Sequence, residues 1–240
     1  DFDFKNPIIT ENHQQLMNAY ACTDATVKAA VQSQIYGGDN LSNDGSFGAA
    51  AVGRITANYI NGPATTVNGV DLYIKYEDDY ANGVLSTGFE ANYVAKYSVD
   101  AYMKGAVQIA GAYECAGFFN IENPCRSMPE IKGKFFLNYQ EDQHNFYGAI
   151  NYISAYDDRR ATAAGCAKTL TDGVCTEIAA HTTVDATYTY TWDDQFDLSF
   201  SVYNLTDELP PFTVWEMNYD AYTHSPLGRY IKAGFTYRMQ

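Results

Sequence analysis

The chain of 240 residues contains no apolar run of about 18 residues, so no segment of it can cross a bilayer as a helix. Basic residues are scarce. Lys and Arg number 15 against 29 Asp and Glu, a formal charge of -14, which excludes the basic face a nucleic-acid partner needs. Asp1 to Pro7 lack a basic segment followed by an apolar one, so no signal peptide is read there; either it has been removed or the chain does not begin at a natural start. Catalytic motifs are missing too. The histidines His13, His144, His181 and His224 are scattered, with no HExxH and no Ser or Cys at motif spacing, and acid pairs such as Asp78-Asp79 read as a solvated turn. The expectation is a protein that is not an enzyme and carries no cofactor or metal.

Aromatic residues, by contrast, are plentiful: 15% of the chain, with 21 Tyr and 13 Phe. Hydrophobic residues reach 46% while the mean hydropathy stays at -0.31, so apolar and polar residues must be interleaved. From residue 66 onward the period is two. Val70, Leu72, Ile74 and Tyr76 alternate with Asp71, Tyr73, Lys75 and Glu77; Leu85, Phe89, Ala91, Tyr93, Ala95 and Tyr97 alternate with Ser86, Gly88, Glu90, Asn92 and Lys96. The same pattern runs through Ile131 to Gln140, Asn145 to Tyr156, Val184 to Trp192, Phe196 to Tyr203 and Tyr230 to Met239. With Phe2 to Ile9 as the first, eight strands are expected.

A soluble sandwich also alternates, so a secreted carbohydrate-binding sandwich stays open on period alone. The connections favour a membrane barrel. Short ones near Glu77 to Gly83, Glu141 to His144 and Asp193-Asp194 alternate with long ones over residues 10 to 65, 98 to 129, 157 to 181 and 204 to 227. Short periplasmic turns and long extracellular loops are the layout of an outer-membrane barrel. Tyr76, Tyr139, Phe146, Trp192, Phe196 and Tyr237 gather beside the short turns on the apolar face, as an interfacial girdle would. The first strand opens abruptly and the loops exceed those of a minimal barrel, so the chain reads as one arc of a larger wall.

Cys115 with Cys125, and Cys166 with Cys175, each enclose a short polar loop inside a long connection, and two local disulfides in an oxidising compartment are expected. Neither pair has the CxxC spacing of a zinc or redox site. Cys22 is left over, its partner lying beyond this chain or its thiol free.

The stretch Val202-Tyr203-Asn204-Leu205-Thr206-Asp207-Glu208-Leu209-Pro210-Pro211, followed by Tyr219-Asp220 and by Gly228-Arg229-Tyr230, is similar to the end of TonB-dependent receptors. Thr66 to Leu72, Met128-Pro129-Glu130 and Tyr156-Asp157-Asp158 resemble strand starts and ends of the same family. The resemblance implies an all-β transmembrane antiparallel barrel, of which this chain would be the last eight strands of 22, the plug domain and earlier strands being absent. It implies an outer-membrane receptor in contact with lipid, energised through TonB, that takes up a siderophore, cobalamin, haem or carbohydrate. A passive porin or structural barrel is the alternative within the membrane class. The ending Tyr237-Arg238-Met239-Gln240 departs from the terminal aromatic residue common in such barrels.

Residues 13 to 35 are expected to be helical, with Thr23 or Asp24 as a cap, forming a loop insertion or a ligand lid. Gly37 to Gly45 carries calcium-like oxygen donors without EF-hand spacing and reads as a solvated turn. In the last long loop Phe212, Trp215, Tyr219, Tyr222 and His224 either pack on neighbouring loops or touch ligand; Trp215, Tyr219, Tyr222 and His224 are the ligand-contact candidates. Lys75, Glu90, Lys96, Lys132 and Lys134 are expected to face the lumen or a plug.

Overall fold

The computed structural model describes residues 2–37, 51–120, 125–159, 175–193, 195–213 and 217–238. Eight strands run up and down in chain order in one antiparallel sheet: β1 (Phe2–Phe4), β2 (Thr65–Tyr80), β3 (Gly83–Val99), β4 (Ile131–Glu141), β5 (His144–Ile153), β6 (His181–Thr191), β7 (Phe196–Tyr203) and β8 (Tyr230–Tyr237). Each strand pairs with its sequence neighbour, and the short strand Tyr113–Glu114 pairs beside β3. The sheet does not close on itself. By contact the chain divides into two compact units, one of residues 69–94, 129–156 and 177–240, the other of residues 1–68, 95–128 and 157–176.

The first unit is the wall. Its register carries the two-faced pattern across strands as well as along them. Phe89 lies opposite Phe135, Phe135 opposite Ile150, and Ile150 opposite Val184. Two rows nearer the short turns on the same face, Leu85, Tyr139, Phe146, Tyr188 and Phe200 stand side by side. A slip of one residue would turn every one of these to the other face, so the hydrophobic pattern itself fixes the pairing. The face they form is not covered: Phe135 is 45% exposed, Ile150 44% and Phe235 63%. An apolar face of that extent left bare marks an interaction surface, and the alternation beneath it is that of a membrane barrel's outer side. At its turn end Phe196 stacks on Tyr237 at 4.8 Å and Phe146 lies against Tyr188 at 4.9 Å, which gives the girdle its packing.

The opposite face is a hydrogen-bonded polar surface. Asn92 donates to Asp71 at 2.6 Å, Asn151 to Asp185 at 2.9 Å, and Thr187 to Ser201 at 3.0 Å, while Arg238 pairs with Asp197. Lys134 stands over the Tyr147 ring, opposite Glu90 in register. Gly88 is required here, since a Cβ on it would meet the Phe136 ring at 2.6 Å and the Ile74 carbonyl at 2.7 Å.

Several boundaries differ from the sequence expectation. β2 begins at Thr65 and runs to Tyr80, so Asp78 and Asp79 belong to a strand, and the turn to β3 is two residues, Ala81-Asn82. The turn from β4 to β5 is likewise two residues, with Asp142 at φ 49. Ala81 holds φ 53, a region that costs an L-residue about 1–2 kcal/mol. Ala81→Gly should therefore raise the barrel's unfolding free energy by about 0.5–1 kcal/mol, measured by urea titration of the full-length protein in vesicles.

The expected first strand, Phe2 to Ile9, is two. Asn6 at φ 53 followed by Pro7 breaks the ladder, so Phe2–Phe4 pairs with Thr65 to Val67 and Ile8–Thr10 with Tyr59–Asn61. β5 also ends early, at Ile153, where Ser154 turns the chain and its hydroxyl accepts from the Ile131 N–H. Tyr156–Arg159 is a separate strand, and its Asp157 and Asp158 pair in parallel with Phe118 and Phe119.

The second unit contains the helices. The single expected segment over residues 13 to 35 is two helices, α1 (His13–Tyr20) and α2 (Ala25–Val31), then a short 3-10 turn, Gln32–Gln34. Asn12 caps α1 by accepting from the N–H groups of Gln14 and Gln15; Asp24 caps α2 by accepting from Thr26 and Val27. A second cap inside the run necessarily ends the first helix. Leu16, Ala19, Tyr20, Val27, Val31 and Ile35 form a small core with Tyr102 and Ile109. Neither helix is long and apolar enough to cross a membrane. Within this unit Cys115 and Cys125 form a disulfide. Cys22, left over in the sequence reading, is disulfide-bonded as well. Cys166 lies outside the described residues, as does nearly all of the stretch Gly37 to Gly45, and of Cys175 only its place at the start of the strand Cys175–Ile178 is described.

Candidate functional site

At the long-loop end of the wall, the last residue of β5, Ile153, lies opposite the first of β6, His181, and the last of β7, Tyr203, stacks at 4.8 Å on the first of β8, Tyr230. The loop between β7 and β8 is tied down at both ends by the residues of the Asn-Leu-Thr-Asp motif. Asn204, at φ 52, accepts from the Glu208 N–H at 2.9 Å and donates to the Glu208 carbonyl at 2.8 Å, while its own N–H donates to Asp185. Asp207 accepts from the Arg229 N–H at 2.7 Å, and a Cβ on Gly228 would meet the same carboxylate at 2.5 Å. The motif is a loop clasp built from side chains that tolerate positive φ.

Beyond the clasp the loop folds back through a bridge between Phe212 and Tyr219, with Asn218 at φ 59, and reaches a buried turn. Asp220 is fully buried and accepts from the Tyr222 N–H at 2.9 Å; its carbonyl accepts from the His224 N–H at 3.0 Å. The turn delivers His224 against Tyr156 and His181. Tyr156 Oη lies 2.7 Å from Asp220 Oδ2 and 2.9 Å from His224 Nε2, and the two Nδ1 atoms of His224 and His181 are 3.1 Å apart. Tyr156, His181 and His224 are all buried.

Donor and acceptor roles follow from one end. A carboxylate can only accept, so the Tyr156 hydroxyl donates to Asp220, and the phenol oxygen then accepts from His224 Nε2–H. Burial, followed by the neighbouring His181, pushes His224 down to about 4, so its ring is neutral near pH 7 and its Nδ1 is a lone pair. His181 must donate from Nδ1, which leaves its Nε2 as an acceptor. That atom is buried and, among the described residues, has no hydrogen-bond partner. His181 and His224 also line a cavity of about 240 Å³ with Asn151, Asp185, Tyr203 and Tyr230. Among the described residues no group of three His, Cys, Asp or Glu is placed to hold a metal.

The ligand-contact candidates are thus separated by the structure. His224 is buried in the cluster, Tyr219 is half-buried at the bridge, Tyr222 is 53% exposed, and Trp215 lies outside the described residues. His181, Tyr156 and Asp220 were not singled out as site residues from sequence. No spacing signals them, because Tyr156 and His224 are 68 positions apart and meet only through the loop's return.

Residues 29–205 match the family described as TonB dependent receptor-like, beta-barrel. No curated protein matches in sequence. Solved structures with the same fold include a mutant of the ferric enterobactin receptor PfeA from Pseudomonas aeruginosa in complex with enterobactin, at 13% identity and a TM-score of 0.53, covering 98% of this chain and 28% of that one. A second mutant of PfeA gives 14% identity and 0.52, covering 98% and 27%. PfeA in complex with BCV-L6 gives 14% and 0.54, covering 98% and 28%. The chain therefore spans under a third of the receptors it resembles. With its family match over most of its length and its bare apolar wall, the chain belongs to the TonB-dependent receptor-like β-barrel family of outer-membrane proteins.

Proposed function

We propose that this chain is the C-terminal arc of an outer-membrane receptor that imports a scarce small molecule by TonB-coupled active transport. The observation that carries the reading is the two-faced sheet, apolar and bare on one side and hydrogen-bonded on the other, in a chain of this family. Among the described residues the outer edges of β1 and β8 have no strand beside them, and in lipid, where no water satisfies the backbone, such edges need further strands. In this reading the short turns face the periplasm and the long loops face outside, with exposed Tyr222 and half-buried Tyr219 as the residues that would meet a ligand. A siderophore has first place among ligands, because the structural neighbours are receptors for ferric enterobactin.

The test is uptake of iron-loaded siderophores, ferric enterobactin first, by cells that make the full-length receptor as their only one, with and without TonB. Uptake that requires both the receptor and TonB is expected. Equal flux in cells lacking TonB would instead identify a passive porin, and a full-length protein soluble without detergent would remove the barrel reading altogether.

A further inference from the structure

We infer that His181, His224, Tyr156 and Asp220 form a binding site for one proton, taken up at His181 Nε2 and held at Asp220. The hydrogen bonds run in one direction, from His181 Nδ1 to His224 Nδ1, from His224 Nε2 to Tyr156 Oη, and from Tyr156 Oη to Asp220 Oδ2. The head of this relay is a buried lone pair with no partner among the described residues, and its tail is a buried carboxylate. A buried acceptor left unmatched destabilises the folded state, because it has given up its hydrogen bond to water and gained none in return.

A proton added at His181 Nε2 supplies the unmatched acceptor at the head and can be passed along the three bonds to the Asp220 carboxylate. The His181 Nδ1 proton passes to His224 Nδ1, the His224 Nε2 proton to Tyr156 Oη, and the Tyr156 hydroxyl proton to Asp220 Oδ2. Three hydrogen bonds remain, each reversed. Both imidazoles end neutral in the opposite tautomer, the phenol is restored, and the net change is one proton bound and one buried negative charge removed. An imidazolium is never required, which matters in a site where burial already opposes charge on His224. The other charged groups facing the rings are Lys132 on β4, Asp185 on β6 and Glu208 in the loop clasp. Lys132 opposes a positive ring, whereas Asp185 and Glu208 favour one; none of the three is hydrogen-bonded to either imidazole among the described contacts. The inference rests on hydrogen-bond geometry and stands independently of which ligand, if any, the barrel imports.

Tautomers can be read directly by solid-state NMR of the full-length protein in vesicles with 15N-labelled histidine. Near neutral pH, His181 should carry its proton on Nδ1 and His224 on Nε2. On acidification both should exchange tautomer with a single shared midpoint and no imidazolium signal, and Asp220→Asn should abolish the exchange, both rings keeping their neutral-pH tautomers until an imidazolium forms. The opposite tautomers at neutral pH, separate midpoints for the two rings, or an unchanged titration in Asp220→Asn would each overturn the inference. Should that variant not fold, the tautomers and midpoints of the unaltered protein decide it. Loss of siderophore uptake with tautomer exchange intact would count against the receptor reading alone.

Discussion

Phe135→Arg is expected to destabilise the folded barrel by about 2–4 kcal/mol, whereas Asn138→Arg, three residues along the same strand, should change it by under about 1 kcal/mol. Both sit in β4, Phe135 exposed and Asn138 half-buried. What separates them is the face. Phe135 lies mid-strand between Phe89 and Ile150 on the bare apolar side, at the level of the hydrocarbon core in a barrel of this family. A guanidinium there has no water and no partner. Asn138 stands between Ser86 and Tyr147 on the polar side, where the added cation joins a surface already carrying Lys134 and Glu90. Guanidinium titrations of the full-length protein in phospholipid vesicles give both numbers. Equal costs would mean that the apolar face is covered by protein and not by lipid.

The same contrast explains how much of this protein is legible in its sequence. Alternation carries the wall because a strand's period of two is a local property, and Val70 to Tyr76 or Phe196 to Val202 display it without help from any other segment. Interruptions were harder to see. Asn6 breaks the first strand by adopting a positive φ that asparagine tolerates but does not require, and the second helix cap at Asp24 only becomes visible as a break once Asn12 is seen to cap the first. Ala81 is harder still, since alanine gives no signal of the positive φ it adopts in the turn before Asn82 and Gly83.

The site is least legible of all. Asn204 and Asp207 attract attention as a motif resembling a family ending, yet their role is to clasp a loop. His181 reads as the start of an alternating strand, and only register places it at the rim beside Ile153. His224 reads as an exposed loop aromatic. It becomes buried because Asp220 turns the chain inward, and that carboxylate accepts from Tyr156 and from the Tyr222 N–H. Each member of the cluster makes sense through the others, a dependence that no single spacing can express.

In the helical unit the corresponding dependence centres on Glu11, and Glu11→Ala should destabilise that unit by about 3 kcal/mol. Its carboxylate is almost fully buried and collects four donors: the Tyr102 hydroxyl at 2.6 Å, the Asn58 N–H at 2.9 Å, the Gln34 amide and the Lys104 ammonium at 3.4 Å. Removing it leaves those donors facing a void, with Tyr102 and Gln34 too deep for water to replace the lost acceptor. Glu11→Gln should cost less, about 1–2 kcal/mol, because one amide oxygen survives while the amide N–H groups oppose donors already present. Burial alone would raise the Glu11 pKa, but the bonds from Tyr102, Asn58 and Gln34, with the Lys104 charge, outweigh it and lower the value below 4.5. A carboxyl depressed on folding contributes stability in full above its unfolded value and loses it as pH falls through the folded one. Hydrogen exchange of α1 and α2 in the full-length protein should therefore accelerate below about pH 4.5 in the wild type and show little of that pH dependence in Glu11→Gln. The pH dependence assigns the stability to ionised Glu11 specifically, since a purely steric role would survive both acid and the amide.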